Sequence, residues 1–432
     1  MFKNIVIGVG LLAAVITVVI FSGKATPSNG NSGPSGQVTM WGTIPYNQVY
    51  DFLQSYNPQV KTYSVNYLEI SEKDFVNRLI NALASGGGPD LILAPHQIIV
   101  SQISKIQPFS PVSLPEKTYR DSFIDGANIF WTPYGTMALP VSIEPLMLFY
   151  NRTILSKSGI AGPPLYWGDV LDMTPKLTSF DQKGNFTSLA IDIGAFDNIP
   201  YAKDIIMNLV YQLKQTPVTV NYTDKGPEYS VSIDTPSNVN KDVKPFTTSV
   251  KFWTEFANPS KSVYTWNNFI SDPKGLFLGE KMAMYIGYSG EYAQMKAANQ
   301  KLDLGMASIP QAKDYPTFST GMRLYGVAVM KSSKNMNTAI AAASSFTSTF
   351  SNEVANMIGG LSPAKANVMN GKLDADLVKS TLNARSFYDI DQSQSNELMS
   401  KMINDILQGR MLSVDAATNF VSKFERIYSG IK

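Results

Sequence analysis

Residues 37–95, QVTMWGTIPYNQVYDFLQSYNPQVKTYSVNYLEISEKDFVNRLINALASGGGPDLILAP, decide the fold. Short apolar or alternating runs predict strands here, and apolar residues three and four positions apart predict helices. The predicted order is strand 38–41, helix 45–57, strand 60–67, a helix that starts at Ser71 and stops before 86–89, and strand 91–93. Alternating strands and helices of this length form a parallel sheet wound by right-handed crossovers, so the sequence predicts an α/β fold.

Two loops of this segment follow predicted strands directly. In open parallel sheets, ligands bind beyond the carboxyl ends of the strands. Residues 42–46 and 94–98 therefore mark a candidate binding edge. Trp41, Thr43 and Tyr46 lie at the first loop, where two aromatic rings flank a hydroxyl group.

The size and composition of the chain exclude several classes of protein. A chain of 432 residues is too long for one core, so we expect two lobes. Cysteine is absent, which excludes disulfides, thiolate metal sites and thiol nucleophiles. The net charge of +2 gives no electrostatic footprint for nucleic acid. Because His96 is the only histidine, a multi-histidine metal site is excluded, and we expect neither a metal nor a cofactor.

The N-terminus has the pattern of an export segment. Residues 5–21 are apolar apart from Thr17, which is just enough to cross a bilayer as a helix. Residues 23–36 have the composition of a flexible linker. Residues 1–22 are thus either an uncleaved signal anchor or a signal peptide cleaved near Ala25. Both alternatives place the rest of the chain outside the cytoplasm, at the membrane surface or released from it.

The middle of the chain restarts the α/β pattern. Spacing predicts strands over 147–150 and 188–193 and helices over 167–177 and 201–213. Residues 216–247 lack a helical period and predict a surface insertion or hairpin, and 413–428 predict an amphipathic C-terminal helix. The sequence therefore predicts a second α/β lobe.

Five segments together resemble the solute-binding proteins of ABC sugar importers, the maltose-binding-like group. They are GGPDLILAPH at 87–96, LPVSIEPLMLFYNR at 139–152, GPPLYW at 162–167, FLGEKMAMYIG at 277–287, and QGR at 408–410 leading into 413–416. The resemblance implies a two-lobed periplasmic-binding-protein-like fold of type II. The first lobe would comprise 37–142 with 331–372, and the second 143–326 with 376–432. Crossing segments at 140–145, 325–331 and 371–376 would form a hinge.

The resemblance also implies site residues in the first lobe. Glu144 matches the position of an acidic, ligand-contacting residue, and a carboxylate can accept two hydroxyl hydrogen bonds. The alternative is that Glu144 pairs with Arg152 or with Arg323, itself a candidate ligand-binding residue, and sets hinge geometry. His96 and Gln97 match a loop that reaches the ligand. Here Gln97 and Ile98 replace the charged pair that the family often carries.

In the second lobe, the resemblance points to two further segments. Tyr288 and Tyr292 lie near the position of a stacking tryptophan that this chain lacks, and the alternative is that they pack in the core. Phe196, Asp197 and Asn198 follow a predicted strand and combine one aromatic ring with two polar groups. Together these residues predict a site for a small molecule, most simply a sugar.

The resemblance implies a monomeric binding protein that captures solute by hinge closure and delivers it to ABC permease subunits. Two alternatives remain open at this point. A membrane-tethered sensing or adhesion module would use the same fold. A carbohydrate-active enzyme would need two facing carboxylates, for which the local pairs Asp121 with Asp125 and Asp389 with Asp391 are poor candidates. Neither a Gly-x-Ser-x-Gly elbow nor a P-loop occurs, so we predict no enzymatic activity.

Overall fold

The computed structural model describes residues 33–224, 226–237, 239–315 and 318–429. The predicted membrane segment within 1–22 lies outside these residues. Within them, no helix combines the length and the apolarity needed to cross a bilayer. The described residues form a mixed α/β structure of fifteen strands and sixteen α-helices.

The strands are, in chain order, β1 Gly36–Gly42, β2 Tyr63–Glu69, β3 Leu91–Pro95, β4 Ile106–Gln107, β5 Trp131–Thr132, β6 Gly135–Thr136, β7 Leu139–Asn151, β8 Ser179–Phe180, β9 Phe186–Ile191, β10 Val218–Thr223, β11 Gly226–Val231, β12 Met282–Tyr288, β13 Leu304–Ser308, β14 Thr320–Met330 and β15 Ala384–Arg385.

The α-helices are α1 Tyr46–Val60, α2 Glu72–Ala84, α3 His96–Ser101, α4 Glu116–Ser122, α5 Arg152–Lys157, α6 Trp167–Leu177, α7 Ala202–Gln212, α8 Pro245–Glu255, α9 Pro273–Leu278, α10 Glu291–Ala298, α11 Met336–Thr347, α12 Ser351–Ile358, α13 Lys365–Val368, α14 Ala375–Leu382, α15 Gln392–Leu407 and α16 Ser413–Ser429. Two short 3-10 turns, Ile103–Lys105 and Asp125–Phe130, complete the helical elements of the described residues.

The chain divides into two compact units. The first consists of the described part of Met1–Glu144 together with Arg323–Leu373, and the second of Pro145–Met322 with Asp374–Lys432. The chain therefore passes between units after Glu144, after Met322 and after Leu373. Residues 325–331, expected to form the second crossing, belong wholly to the first unit.

The first unit contains the parallel sheet predicted from residues 37–95. Its strands lie in the order β2-β1-β3-β14, with β4 also paired to β14. β1 runs parallel to both β2 and β3, whereas β14 runs antiparallel to β3. Helix α2 begins where Ser71 accepts a hydrogen bond from the Asp74 amide, as the predicted cap requires. The carboxyl ends of β1 and β3 thus lie at one edge of this sheet.

Two boundaries in the first unit differ from the prediction. The strand expected over 60–67 begins only at Tyr63, because α1 continues through Pro58 to Val60. Pro58 has no amide hydrogen to donate within this last turn, but the Asn57 side chain ties the turn to β2 by bonding both backbone groups of Val65. The expected linker 23–36 also ends too late: Gly36 starts β1, and both backbone groups of Ser35 bond the Thr338 hydroxyl.

The second unit has a sheet of mixed direction. β12 lies between β7, which is antiparallel to it, and β9, which is parallel. Helix α6 covers the residues predicted for it, 167–177, and α7 falls within 201–213. The predicted insertion contains the β10–β11 hairpin. Large buried aromatic side chains fill the core, among them Trp253, Trp266, Phe246 and Phe277.

The loop that follows β9 is fixed by a close backbone approach. Gly194 adopts a φ of +121°, and a Cβ at this position would lie 2.7 Å from the Ala257 nitrogen. Only glycine fits this combination of left-handed backbone and contact. The glycine therefore sets the path by which the chain reaches Asp197 and Asn198.

Candidate functional site

Glu144 is a buried carboxylate paired with Arg323 in the first unit. Only 2% of its surface is exposed, and Arg323 donates to its Oε2 from Nε and from Nη2, each at 2.7 Å. The guanidinium also lies 5.7 Å from the centre of the Tyr325 ring. Of the two partners considered for Glu144, the structure thus selects Arg323, while Arg152 pairs with Asp303. Charge-assisted bonds of this kind hold a carboxylate in one orientation.

A neighbouring segment fixes the backbone of Glu144. Ile143 and Leu361 exchange both of their backbone hydrogen bonds, at 2.8 and 2.9 Å. Gly360 allows this approach, since a Cβ there would lie 2.3 Å from the Ser142 hydroxyl and 2.9 Å from Cγ of Glu144. This positioning role of Gly360 is absent from the sequence analysis, because the two segments lie more than two hundred residues apart.

The loop after β1 presents aromatic rings at the carboxyl edge of the first sheet. Trp41 and Thr43 are half-buried, and Tyr46 is 51% exposed. The ring of Tyr46 lies 5.8 Å from that of Tyr50, one turn further along α1. The Tyr46 amide donates to Oε2 of Glu69 at 2.7 Å, which fixes the start of the helix. The structure therefore adds Tyr50 to the aromatic groups expected here.

His96 and Gln97 start α3 and are both buried. Nδ1 of His96 accepts a hydrogen bond from the Leu324 amide at 3.3 Å, so this ring nitrogen carries no proton. His96 thereby ties the end of β3 to β14. Oε1 of Gln97 is buried and has no hydrogen-bond partner among the described residues. Of the two residues predicted to contact the ligand from this segment, Gln97 thus has a side-chain oxygen that could accept a hydrogen bond.

A cavity of about 450 Å³, lined mostly by residues with polar side chains, lies in the second unit. Its lining combines the segment after β9, the loop before α9, the strand β12 and the start of α10. The lining residues are Asp197, Asn198, Pro200, Tyr201, Asp272, Pro273, Lys274, Tyr285 and Glu291. Its volume falls in the usual range for small-molecule sites.

An ion pair organises one wall of this cavity. Nζ of Lys274 lies 2.8 Å from Oε2 of Glu291. Glu291 also accepts from the Tyr288 amide at 3.1 Å and from the Tyr285 hydroxyl at 3.3 Å. Burial raises the pKa of Tyr285 far above its ordinary value, so its phenol stays a hydrogen-bond donor. Asp272 precedes α9 in a left-handed conformation and caps it by accepting from Gly275.

The two predicted residues that line this cavity differ in their free hydrogen-bonding capacity. Asp197 accepts from Ser400 at 2.6 Å and from Asn404 at 2.8 Å, and its carboxylate has further lone pairs. The amide of Asn198 is occupied: it donates to two backbone carbonyls and accepts from the Trp266 indole. Asp197 is thus the better candidate for direct contact with a ligand.

The other predicted residues of the second unit lie outside the cavity lining. Tyr288 is almost completely buried, with its ring 4.8 Å from that of Tyr201 in an edge arrangement. Phe196 and Tyr292 are partly buried and pack against the core. The structure places Tyr201, rather than Tyr288, at the cavity. Sequence reasoning missed Tyr201, Asp272, Lys274 and Glu291, because none belongs to a quoted motif.

A buried aspartate lies near Glu291. Asp192 follows β9 directly, is fully buried, and accepts a hydrogen bond from the Ile286 amide at 2.9 Å through Oδ1. Burial and the charge of Glu291 raise the pKa of Asp192 well above its ordinary value. Across the described residues, no three histidine or acidic side chains are grouped to hold a metal ion. The arrangement is suited to hydrogen bonding of a polar ligand.

Comparison with known families decides the class of protein. Residues 51–379 match the family of bacterial extracellular solute-binding proteins. The chain is a member of this family. No curated protein matches it by sequence.

Solved structures resemble this solute-binding protein over nearly its whole length. An ABC substrate-binding protein from Listeria monocytogenes in complex with cycloalternan has a TM-score of 0.71 at 14% identity, over 92% of this chain and 100% of that one. An ABC transporter solute-binding protein from Thermotoga lettingae bound with α-D-tagatose has a TM-score of 0.68 at 18% identity, over 91% and 100%. The GacH receptor of Streptomyces glaucescens, solved unliganded and with acarbose, has a TM-score of 0.67 at 16% identity, over 92% and 100%. At these identities the likeness shows the fold of the solute-binding protein.

Proposed function

We propose that this protein binds a carbohydrate outside the cytoplasm and delivers it to the permease of an ABC importer. The observation that carries the proposal is the cavity of the second unit, where Asp197, Lys274 and Glu291 supply charged hydrogen-bonding groups beside Tyr201. Carboxylate acceptors suit sugar hydroxyls, and an aromatic ring suits the apolar face of a sugar. The sugars in the neighbouring structures support this ligand class.

In the first unit, we assign ligand contact to Glu144 and Arg323. The guanidinium bonds to Oε2 of Glu144, and we propose that Oε1 accepts a hydrogen bond from a ligand hydroxyl. About a quarter of the Arg323 side chain is exposed. Trp41, Thr43, Tyr46 and Gln97 complete the proposed set at the carboxyl edge of the first sheet. Capture by closure of the two units and action as a monomer belong to the same proposal.

The proposal also covers what happens to the ligand and where the protein resides. We propose that the solute is bound and released unchanged, with no chemical step. Residues 5–21 would export the chain and either remain as an anchor or be removed. Intact-mass measurement of the protein from its own membrane fraction distinguishes these fates. A mass equal to that of a chain whose first residue follows Ala25 contradicts the anchor.

Thermal unfolding of the full chain against a panel of ligands tests the function. The panel contains maltotetraose, mannotriose, tagatose, glucose, amino acids and short peptides. A ligand at a hundred times its dissociation constant adds about 2.7 kcal/mol of stability, which raises the melting temperature by a few degrees. To test the absence of a chemical step, the bound sugar is released and analysed by chromatography, and we expect it to be unchanged. Stabilisation by amino acids or peptides alone would overturn the carbohydrate proposal.

Asp197→Asn locates the binding site. It should weaken carbohydrate binding at least severalfold, since the charged acceptor becomes a neutral amide. Asp242→Asn is the matched control, because Asp242 is an exposed aspartate of the same unit, away from the cavity lining. Equal carbohydrate affinities of the two variants would show that the cavity is not part of the binding site.

A further inference from the structure

The side chain of Phe269 stands in solvent beside the cavity of the second unit. It is 95% exposed, more than any other large hydrophobic residue among those described. The fold therefore forgoes the stabilisation that burial of a phenylalanine side chain supplies. The segment between the buried Trp266 and α9 carries the ring outward.

The loop that carries Phe269 is held on both sides of it. The amide of Asn198 donates to the carbonyl of Asn267 and to that of Ile270, both at 2.7 Å. The side chain of Asn267 accepts from the Phe269 amide at 2.9 Å. The exposure of the ring is therefore a property of an ordered loop, since three hydrogen bonds define the backbone around it.

The same loop adjoins residues that line the cavity. Asn198, which braces the loop, lines the cavity, and so do Asp272 and Pro273 at the end of the loop. On the other side, Asn268 donates to Asn404, and Asn404 donates to Asp197. The loop that carries Phe269 is thus bonded to the cavity wall directly at Asn198 and, through Asn268 and Asn404, at Asp197.

We infer that Phe269 is an aromatic platform for a second ring of an oligosaccharide whose first ring occupies the cavity. This inference rests on the proposed function. Phenylalanine has no polar group, so it cannot bond hydroxyls but can pack against the apolar face of a sugar ring. The cavity supplies polar contacts to the first ring and Phe269 an apolar contact to the next. The protein therefore selects oligosaccharides over the corresponding monosaccharides.

Calorimetric titration of wild type, Phe269→Ala and Phe269→Tyr tests this inference. The probes are maltotetraose with glucose and mannotriose with mannose. Phe269→Ala should weaken oligosaccharide binding about three- to tenfold, leave monosaccharide binding unchanged, and have no effect on the melting temperature of the free protein. Phe269→Tyr keeps the ring and should restore most of the affinity.

Leu412→Ala is the matched control, because Leu412 is a 74% exposed apolar side chain of the same unit, outside the cavity lining. It should leave all affinities unchanged. If wild type binds an oligosaccharide and Phe269→Ala binds it equally well, the platform is overturned while the proposed function stands. If wild type binds glucose or mannose but neither oligosaccharide, the platform is likewise overturned while the proposed function stands.

Discussion

Arg323 donates to Glu144 from two nitrogens, Nε and Nη2, and both reach the same carboxylate oxygen at 2.7 Å. The carboxylate is almost completely buried, whereas the guanidinium is partly exposed. Two adjacent N–H groups of one guanidinium that converge on a single carboxylate oxygen fix the orientation of that carboxylate. The ion pair with Arg323, which the sequence offered as one alternative for Glu144, is therefore present, and ligand contact by Glu144 stays a proposal.

Removal of the Glu144 carboxylate should weaken ligand binding. Glu144→Ala is expected to cost about 1–3 kcal/mol of binding free energy, because a ligand hydroxyl and Arg323 both lose their acceptor. Calorimetric titration with the best ligand of the panel measures the loss. Arg152→Ala is the control, since its pair with Asp303 is half-exposed. Unchanged affinity in Glu144→Ala would restrict this residue to a structural role.

A methyl group at Gly360 should disturb the same carboxylate without touching its charge. The added Cβ would meet the Ser142 hydroxyl, the Ile143 carbonyl and Cγ of Glu144. We expect Gly360→Ala to lower stability by about 1–3 kcal/mol and to weaken binding, because the two bonded segments must separate. Urea unfolding and titration measure the two effects. Gly168→Ala has open space around it in α6 and should be neutral or slightly stabilising; equal behaviour of the two variants would contradict the steric argument.

The elements that sequence reasoning placed well are those determined by local periodicity. Apolar side chains in residues 167–177 recur at the spacing of a helix, and α6 covers these residues fully. Ser71 caps α2 as expected, because capping depends on residues three positions apart. Local rules failed at Pro58, where the bonds between Asn57 and Val65 hold the last turn of a helix that proline alone would end. Contacts between elements, which no local pattern records, decided that boundary.

The candidate site was less predictable, because its residues meet only in the fold. Asp197 was found because it follows a strand, and the carboxyl end of a strand is a position that sequence reveals. Lys274 and Glu291 are seventeen residues apart in different elements, and no motif marks their pairing. His96 was a candidate because it matches a family loop that reaches the ligand, but burial and the bond from Leu324 give it a structural partner. Burial distinguishes residues with a structural role from residues that can reach a ligand, and the sequence alone predicts burial poorly.

The buried pair of Lys203 and Asp389 should be a main determinant of stability in the second unit. Their atoms Nζ and Oδ2 are 2.6 Å apart, and Ser395 donates to the same carboxylate. Asp389→Ala leaves a buried ammonium without a counter-charge, so we expect a loss of about 3–5 kcal/mol in urea unfolding. The pair of Lys117 and Asp121 has the same 2.6 Å separation but is largely exposed. Asp121→Ala should therefore cost under about 1 kcal/mol, and similar losses in the two variants would refute the role of burial.

Asp192 should make stability fall as pH rises. Burial, together with the charge of Glu291, raises its pKa in the folded state well above the ordinary value of about 4. The folded state then holds a proton that the unfolded chain has lost. Its stabilising contribution is therefore complete below about pH 4 and is lost as pH rises through the raised pKa. Asp192→Asn removes this titration and keeps an acceptor for the Ile286 amide, so its stability should not decline over that range.

Urea unfolding of wild type and Asp192→Asn from about pH 2 to 9 measures the difference between their profiles of stability against pH. Asp181→Asn is the control of opposite sign. Hydrogen bonds from Asn185 lower the pKa of Asp181, so its contribution is present above the ordinary pKa of an aspartate and is lost as pH falls through the lowered one. If wild type and Asp192→Asn have parallel profiles of stability against pH, Asp192 does not titrate over this range, which contradicts the prediction.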